Sequence, residues 1–219
     1  MKYRSFVVFG LGKFGQAVAD KLIDSGADVM VVDNDPDIVE AYSAKATSSI
    51  EADLTDPAAI KALGISNIDC AVVAMGMSLE SSIMCTMLSK ECGVKWVVAK
   101  AGNDRMGSVL AKIGADEVIY PEEESGVRTA RHLISSNFLE FFEVSDDICL
   151  IEMMPKDKWV GKSLKELNLR KKYGINVVAI KDGVVKEYVD PEVPLKAKEV
   201  LLLLIHKKNL EKLDKNVVL

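Results

Sequence analysis

Three closely spaced glycines near the start of the chain are suited to holding a phosphorylated ligand. Gly10, Gly12 and Gly15 have the spacing G-x-G-x-x-G and come directly after the apolar run 6–9. Gly10 permits a tight turn from a strand into a helix, Gly12 puts no side chain in the path of a phosphate, and Gly15 lets the helix lie close to the sheet. The amino terminus of that helix would add unpaired N–H groups and a positive dipole, which favour an anion.

A carboxylate lies where such a loop would use one. The apolar run 29–32 ends at Asp33, about 20 residues after the glycines, and this carboxylate could accept hydrogen bonds from both hydroxyls of a ribose. Asn34 and Asp35 follow it and offer no cation for a 2′-phosphate, so we expect NAD or ATP to bind better than NADP. A glycine-rich turn that binds no ligand is the alternative.

The elements around these residues have the pattern of a doubly wound parallel sheet. Helices between parallel strands cover both faces of such a sheet, and a ligand binds at the carboxyl ends of the strands. The sequence therefore predicts an α/β fold whose first domain, residues 1–137, is Rossmann-like and ends in a crossover helix. The apolar runs expected as its strands lie near residues 5–10, 28–32, 47–51, 69–74, 95–100 and 117–120.

The segment after residue 121 has a different character. A helix is expected at about 126–137, followed by Phe138, Phe141 and Phe142, three aromatic side chains that need burial. Their partner is either another subunit or the next domain. A helix folded back on its own domain is an equally open alternative.

The rest of the chain predicts a small α+β domain over residues 138–219. A short helix is expected at 163–167 with Ser163 as its cap, and a closing helix at 208–214. About 80 residues make a small core, so we expect this domain to associate with other copies. Its strands are expected at 148–153, 175–180, 184–185 and 200–205.

The composition narrows the function classes. Of the 219 residues 49% are apolar, which is ample for a buried core, and the formal net charge is −5. The negative charge argues against a nucleic acid as the main partner. No apolar run is longer than that of residues 200–205, which is far shorter than a transmembrane helix, and the chain opens on a strand rather than a signal peptide. We therefore expect a cytoplasmic protein.

Residues that would carry catalysis are scarce. The four cysteines show no C-x-x-C pairing, and neither of the two histidines lies at metal-ligand spacing, so reduced core thiols and no zinc site are expected. A dehydrogenase would need an acid or base from a second domain with its own substrate pocket, and the second half offers no such candidate. These observations favour a non-enzymatic, ligand-gated regulator, with a small NAD-dependent oxidoreductase as the alternative.

Short motifs along nearly the whole chain resemble the RCK domains (TrkA-N plus TrkA-C) of the cytosolic gating subunits of bacterial Ktr and Trk potassium-uptake systems. The resemblance implies a regulator that binds ATP and ADP, or NAD and NADH, and gates a membrane potassium transporter. It also implies homodimers assembled into a ring, commonly an octamer, docked on the membrane through that transporter. The motifs lie at residues 10–15, 52–56, 63–65, 73–76, 98–101, 110–116 and 120–122 in the first domain, and at 161–164, 167–174 and 177–180 in the second.

The same resemblance implies the binding residues of the first domain. The glycines would face the phosphates, Asp33 the ribose, Asp53 and Thr55 the adenine side, and Gly76 and Lys100 the far wall of the cleft. Lys13 stands where the family usually has arginine, which replaces a forked phosphate contact by a point charge. The full set is Gly10, Leu11, Gly12, Lys13, Phe14, Gly15, Asp33, Asn34, Asp53, Leu54, Thr55, Ala74, Met75, Gly76 and Lys100.

Two further ligands follow from the resemblance. Glu122 matches an acid that helps hold a cation, Mg²⁺ or Ca²⁺, near the phosphates at a subunit interface, where an ion would neutralise clustered negative charge. In the second domain, a pattern typical of cyclic di-AMP binding is matched, although Lys165 falls where that pattern has an apolar residue. A helix cap, a solvated arginine and a turn asparagine are the alternative explanation of the same residues. The matching residues are Leu164, Asn168, Arg170 and Asn176.

Overall fold

The computed structural model describes residues 3–76, 78–134 and 138–213. The chain divides into two compact units, Met1–Glu122 and Glu123–Leu219. The expected domain limit near residue 137 falls within the second of these ranges, and that division stays a prediction.

The first unit is built on a parallel sheet, as predicted. Its described strands are ordered β3-β2-β1-β4-β5-β6, so the strand order reverses between β1 and β4, the place where doubly wound sheets bind their ligands. The strands are β1 (Ser5–Phe9), β2 (Asp28–Asp33), β3 (Ser48–Glu51), β4 (Cys70–Val73), β5 (Trp96–Lys100) and β6 (Glu117–Ile119).

Helices cover both faces of this sheet because its strands are apolar on both sides. In β1, Val7 and Phe9 enter one core, while Phe6 and Val8 enter the other. Asp56 caps one of these helices and is followed by Pro57 at the first helical position; the Asp56 side chain accepts a hydrogen bond from the Ala58 N–H. The helices of this unit are α1 (Lys13–Asp24), α2 (Pro36–Tyr42), α3 (Pro57–Ala62), α4 (Leu79–Glu91) and α5 (Asp104–Lys112). A further helix, α6 (Pro121–Ile134), begins in the last two residues of this unit and continues into the second unit.

The second unit is an antiparallel sheet with short helices. Its described strands are ordered β10-β9-β11-β8-β7, and β8 and β11 supply the core with Ile151 and Leu203, both fully buried. Ser163 caps the first helix in a capping box with Glu166, as its sequence predicts. The elements are β7 (Phe138–Glu143), β8 (Ile148–Met153), α7 (Leu164–Leu167), α8 (Leu169–Tyr173), β9 (Ile175–Asp182), β10 (Val184–Lys186), β11 (Val200–His206) and α9 (Leu210–Leu213).

The segment that joins the units differs from the prediction. The helix expected at 126–137 is α6, which begins five residues earlier at Pro121, and its described part ends at Ile134. The open alternative of a helix folded back on its own domain does not apply to the phenylalanines, because residues 138–143 form the strand β7, paired with β8. Phe141 packs against the core of the second unit, whereas Phe142 is 48% exposed. The side chain of Phe138 lies outside the described residues.

Of two further local predictions in the second unit, the hairpin is confirmed and the closing helix differs in length. The hairpin of β9 and β10 is confirmed, with Gly183 at a positive φ of 73° between the two strands. The closing helix is shorter than predicted in the described residues, where a 3-10 turn at Lys207–Asn209 precedes α9. In the part of the chain that the structure describes, no helix has the length and apolar character needed to cross a membrane.

Candidate nucleotide-binding site

The glycine-rich loop follows β1 at the point where the strand order reverses. Gly10 has a positive φ of 86°, which a residue with a side chain adopts only with strain. A Cβ atom added to Gly15 would lie 1.9 Å from the carbonyl oxygen of Gly10, so α1 can approach the loop this closely only with glycine there. A Cβ on Gly12 would meet no atom within 4 Å among the described residues. The fold therefore needs Gly15, whereas Gly12 faces open space.

The amino terminus of α1 offers donors to an anion. Gly12 is its N-cap residue, so no side chain caps the helix, and its first turn holds no acid. The first N–H groups of a helix have no partner within it, and the dipole adds positive potential there. Lys13 is exposed at the first helical position and adds a formal charge. The open side of Gly12 thus adjoins a positive helix end, which suits a phosphate.

Asp33 is already bonded to the loop. Its Oδ2 atom accepts a hydrogen bond from the Leu11 N–H at 2.5 Å, and its Oδ1 atom accepts one from the Asp35 N–H at 3.0 Å. A carboxylate has about four acceptor sites, so two bonds leave capacity for ribose hydroxyls. Gln16 also supports the loop, because its Nε2 donates to the Leu11 carbonyl oxygen at 2.8 Å. Sequence reasoning missed Gln16, whose position one turn into α1 is the only signal for it.

Several of the expected binding residues can offer only their main chain. The side chains of Leu11, Leu54 and Ala74 are buried in the two cores of the first unit. Phe14 and Met75 are partly buried, and the Met75 Sδ atom would lie 2.8 Å from a Cβ added at Gly10. Their side chains therefore shape the walls of the cleft.

The expected adenine side is a closed turn after β3. The Asp53 Oδ1 atom accepts hydrogen bonds from the Thr55 hydroxyl at 2.7 Å and from the Thr55 N–H at 2.9 Å. These bonds, that from the hydroxyl first, lower the pKa of Asp53, so its carboxylate is charged at neutral pH. Asp53, Thr55 and Asn34 are all exposed, and each is therefore accessible to a ligand.

Lys100, at the carboxyl end of β5, is a buried cation in the far wall. Its Nζ atom lies 2.5 Å from Glu122 Oε1 and 5.7 Å from the centre of the Phe14 ring. A Cβ added at Gly76 would come within 2.9 Å of the same Nζ atom, so glycine there gives the lysine room. The lysine side chain is 11% exposed and that of Glu122 is 69% exposed. Their hydrogen bond lowers the pKa of Glu122.

The cation role expected of Glu122 stays a prediction. Its carboxylate is bonded to an ammonium, and the described residues hold no group of three or more His, Cys, Asp or Glu side chains arranged for a metal ion. Three of the cysteines, Cys70, Cys85 and Cys149, are buried, which agrees with core thiols. Burial raises the pKa of the Cys85 thiol to about 12, which removes it as a nucleophile.

The second unit has a cleft of its own, of about 550 Å³. All four residues expected to bind there line it, and they come from α7, α8, β9 and the junction Asn168 between the two helices. Asn168 has a positive φ of 48°, which ends α7 and starts α8, so its expected role as a cap also has support. The remaining lining residues are Lys165, Leu169, Ile175, Val177, Val189 and Pro191.

The family models and relatives that this chain matches agree with the two units. A TrkA-N domain model matches residues 6–121, and a TrkA-C domain model matches residues 150–218. The chain is 39% identical to Ktr system potassium uptake protein C of Bacillus subtilis (strain 168) over 82% of its own length and 81% of that protein. It is 34% identical to Ktr system potassium uptake protein A of the same organism, over 98% of this chain and 97% of that protein.

A solved structure shares the fold of the whole chain. The crystal structure of the GsuK RCK domain superimposes with a TM-score of 0.67 and 16% sequence identity, covering 98% of this chain and 48% of that one. The chain thus spans about half the length of the RCK-domain chain in that structure. With both domain models matched in order and Ktr proteins aligned over most of its length, the chain belongs to the TrkA-N/TrkA-C family of the Ktr potassium uptake proteins.

Proposed function

We propose that the chain is a cytosolic regulatory subunit that binds an adenine nucleotide in its first unit and thereby gates a membrane potassium transporter. One observation carries the nucleotide part: the open side of Gly12 adjoins an uncapped helix terminus, with the Asp33 carboxylate bonded to the same loop. Phosphate and ribose thus each meet a suitable partner. The potassium part rests on the relatives, whose names place them in potassium uptake.

The ligand would lie across the carboxyl ends of the strands. The glycines and the Lys13 ammonium would contact the phosphates, Asp33 and Asn34 the ribose, and Asp53 and Thr55 the adenine. Lys100 supplies a second cation from the opposite wall. ATP, ADP, NAD and NADH all carry the required ribose and phosphates, and NADP has a further phosphate that would meet the Asp33 charge.

The relatives favour a regulatory role over catalysis. The NAD-dependent oxidoreductase would require a proton donor or acceptor beside the nicotinamide, together with a pocket for its substrate. The names of the relatives instead place them in potassium uptake. Turnover of NADH with a small carbonyl compound would favour the enzyme and contradict the regulator.

Assembly into homodimers, and into an octameric ring on the transporter, is part of this proposal. Exposed apolar side chains on α6 and β7 support it: Leu133 is 82% exposed, Phe142 48% and Val127 45%. A cation at Glu122 would need further ligands from nucleotide phosphates or from a second copy of the chain, because the described residues of one copy do not supply them.

The cleft of the second unit supports cyclic di-AMP as a second ligand. Its volume of about 550 Å³ lies within the range of small-molecule sites. The Arg170 guanidinium could pair with a phosphate, while Asn168 and Asn176 offer amide groups to a base and Leu164 an apolar wall.

A thermal-shift panel tests both sites. Preferential binding to the folded state raises the unfolding temperature, so ATP, ADP, NAD, NADH and cyclic di-AMP are compared with and without Mg²⁺ or Ca²⁺. We expect shifts with adenine nucleotides that Gly12→Ala abolishes, and a shift with cyclic di-AMP that Arg170→Ala abolishes. Absence of any shift with the nucleotides would contradict the proposal for the first unit. Copurification with a membrane transporter tests the partner.

A further inference from the structure

Lys100 is a buried cation with an exposed partner. Its side chain is 11% exposed, against 69% for Glu122, and the Nζ and Oε1 atoms are 2.5 Å apart. Burying an ammonium is unfavourable unless an anion stays beside it. The exposed carboxylate can rotate into water with little loss of solvation, whereas the lysine cannot follow it. The lysine therefore keeps its place, and the identity of its anionic partner can change.

The position of the lysine gives a second anion access to it. Lys100 ends β5, and its Nζ atom lies beside Gly76, which follows β4. The same atom is 5.7 Å from the centre of the ring of Phe14, in the first turn of α1. The same atom thus adjoins the strand ends where the proposed phosphates would lie. A phosphate carries more negative charge than a carboxylate and offers more acceptor oxygens, so it competes effectively for an ammonium.

The acid that would be displaced stands at a structural junction. Glu122 belongs to the first turn of α6, and the two compact units meet in the sequence between Glu122 and Glu123. The ion pair therefore fastens the start of this connecting helix to the end of β5. Releasing it would free the first turn of the element that carries the chain from one unit to the next.

We propose that Lys100 is shared between the Glu122 carboxylate and a phosphate of bound nucleotide, so that nucleotide binding loosens the first turn of α6. This inference rests on the proposed function, because loosening of the first turn of α6 would be the first structural change that the bound nucleotide causes. It makes Glu122 a competitor of the nucleotide in the absence of divalent cations. Nucleotide affinity and the position of α6 are then linked through one ammonium group.

Calorimetry of ATP binding without divalent cations tests the competition. Glu122→Gln removes the competing charge, so ATP should bind about threefold to tenfold more tightly. Glu124→Gln, which removes one charge two residues away, is the matched control and should change the affinity less than about twofold. Lys100→Met should weaken ATP binding by about tenfold or more, and in that background Glu122→Gln should have only the small effect of the control. Adenosine should bind all of these variants alike.

Hydrogen exchange of the amides in residues 125–128 provides the second readout, because the N–H groups of these residues pair with the carbonyl oxygens of the first turn of an α-helix that begins at Pro121. ATP should speed their exchange in the wild type and leave it unchanged in Lys100→Met. Equal ATP affinities for Glu122→Gln and Glu124→Gln would overturn the inference while leaving the proposed function intact. Failure of the wild type to bind ATP, ADP, NAD or NADH would overturn both.

Discussion

Gly12 and Gly15, the second and third glycines of the motif, should respond to the same substitution in opposite ways. In Gly12→Ala no atom of the described residues lies within 4 Å of the new methyl group, and the φ of −64° suits alanine, so the fold tolerates the substitution. The methyl group would instead occupy the space proposed for a phosphate. We expect the free energy of unfolding to change by less than about 1 kcal/mol and ATP binding to fall below detection.

In Gly15→Ala the methyl group would lie 1.9 Å from the carbonyl oxygen of Gly10, far inside contact distance, and 3.2 Å from the Ala74 Cβ atom. The obstacle is main chain and cannot rotate away, so α1 must move off the loop. Such overpacking destabilises by about 3 kcal/mol or more. For a unit of this size that lowers the unfolding temperature by roughly 10 °C.

Both predictions are tested by thermal unfolding and by calorimetry with ATP, run in parallel on the wild type and the two variants. Gly12→Ala should have the unfolding temperature of the wild type but should not bind ATP. Gly15→Ala should unfold at a lower temperature than the wild type. An unfolding temperature of Gly15→Ala equal to that of the wild type would refute the close approach of α1. ATP binding by Gly12→Ala at wild-type affinity would refute the role of the loop as a phosphate cradle.

Three more predictions follow from single residues. Asp33→Ala should weaken the binding of ATP and of NAD by about 1.5 to 3 kcal/mol. The wild type should bind NADP far more weakly than NAD, and comparable calorimetric affinities for NAD and NADP would contradict this. Phe142→Ser should lower the particle mass in light scattering while its circular dichroism stays that of the folded wild type, whereas an unchanged mass would place Phe142 outside any contact between copies. The Lys95 ammonium and the N–H groups of residues 4 and 5 bond to the Asp69 carboxylate and lower its pKa below the value of about 3.9 that it has in the unfolded chain. The charged carboxylate therefore stabilises the folded state above that pH, and this contribution is lost as the pH falls further. The unfolding temperature of Asp69→Asn should therefore lie below that of the wild type at pH 7 and approach it in acid; a constant difference would refute the linkage.

The first unit could be predicted from the sequence because its signals are local. The spacing of Gly10, Gly12 and Gly15 encodes a turn, an open face and a close approach within six residues, and the structure has the last two at the expected glycines. Strand order follows from general rules for doubly wound sheets, so Asp33 could be placed beside the loop as well.

Features that depend on residues far apart in the chain could not be predicted from the sequence. The residues of β7 lack regular alternation, and their strand conformation is set by pairing with β8, with Phe141 opposite Ile151. Lys100 and Glu122 are separated by 22 positions, and only the packing of the first unit joins them. The bond from Gln16 to the loop likewise requires the closed turn to exist first.

The central claim is that nucleotide held by the glycine-rich loop controls potassium movement. The direct measurement is potassium flux into liposomes that contain the transporter with which the chain copurifies, with the wild type or Gly12→Ala added outside. We expect the potassium flux with the wild type to change when ATP is replaced by ADP or removed. The flux with Gly12→Ala should be the same under every nucleotide condition. Flux that is the same under every nucleotide condition with the wild type, or that responds equally with Gly12→Ala, would contradict the account.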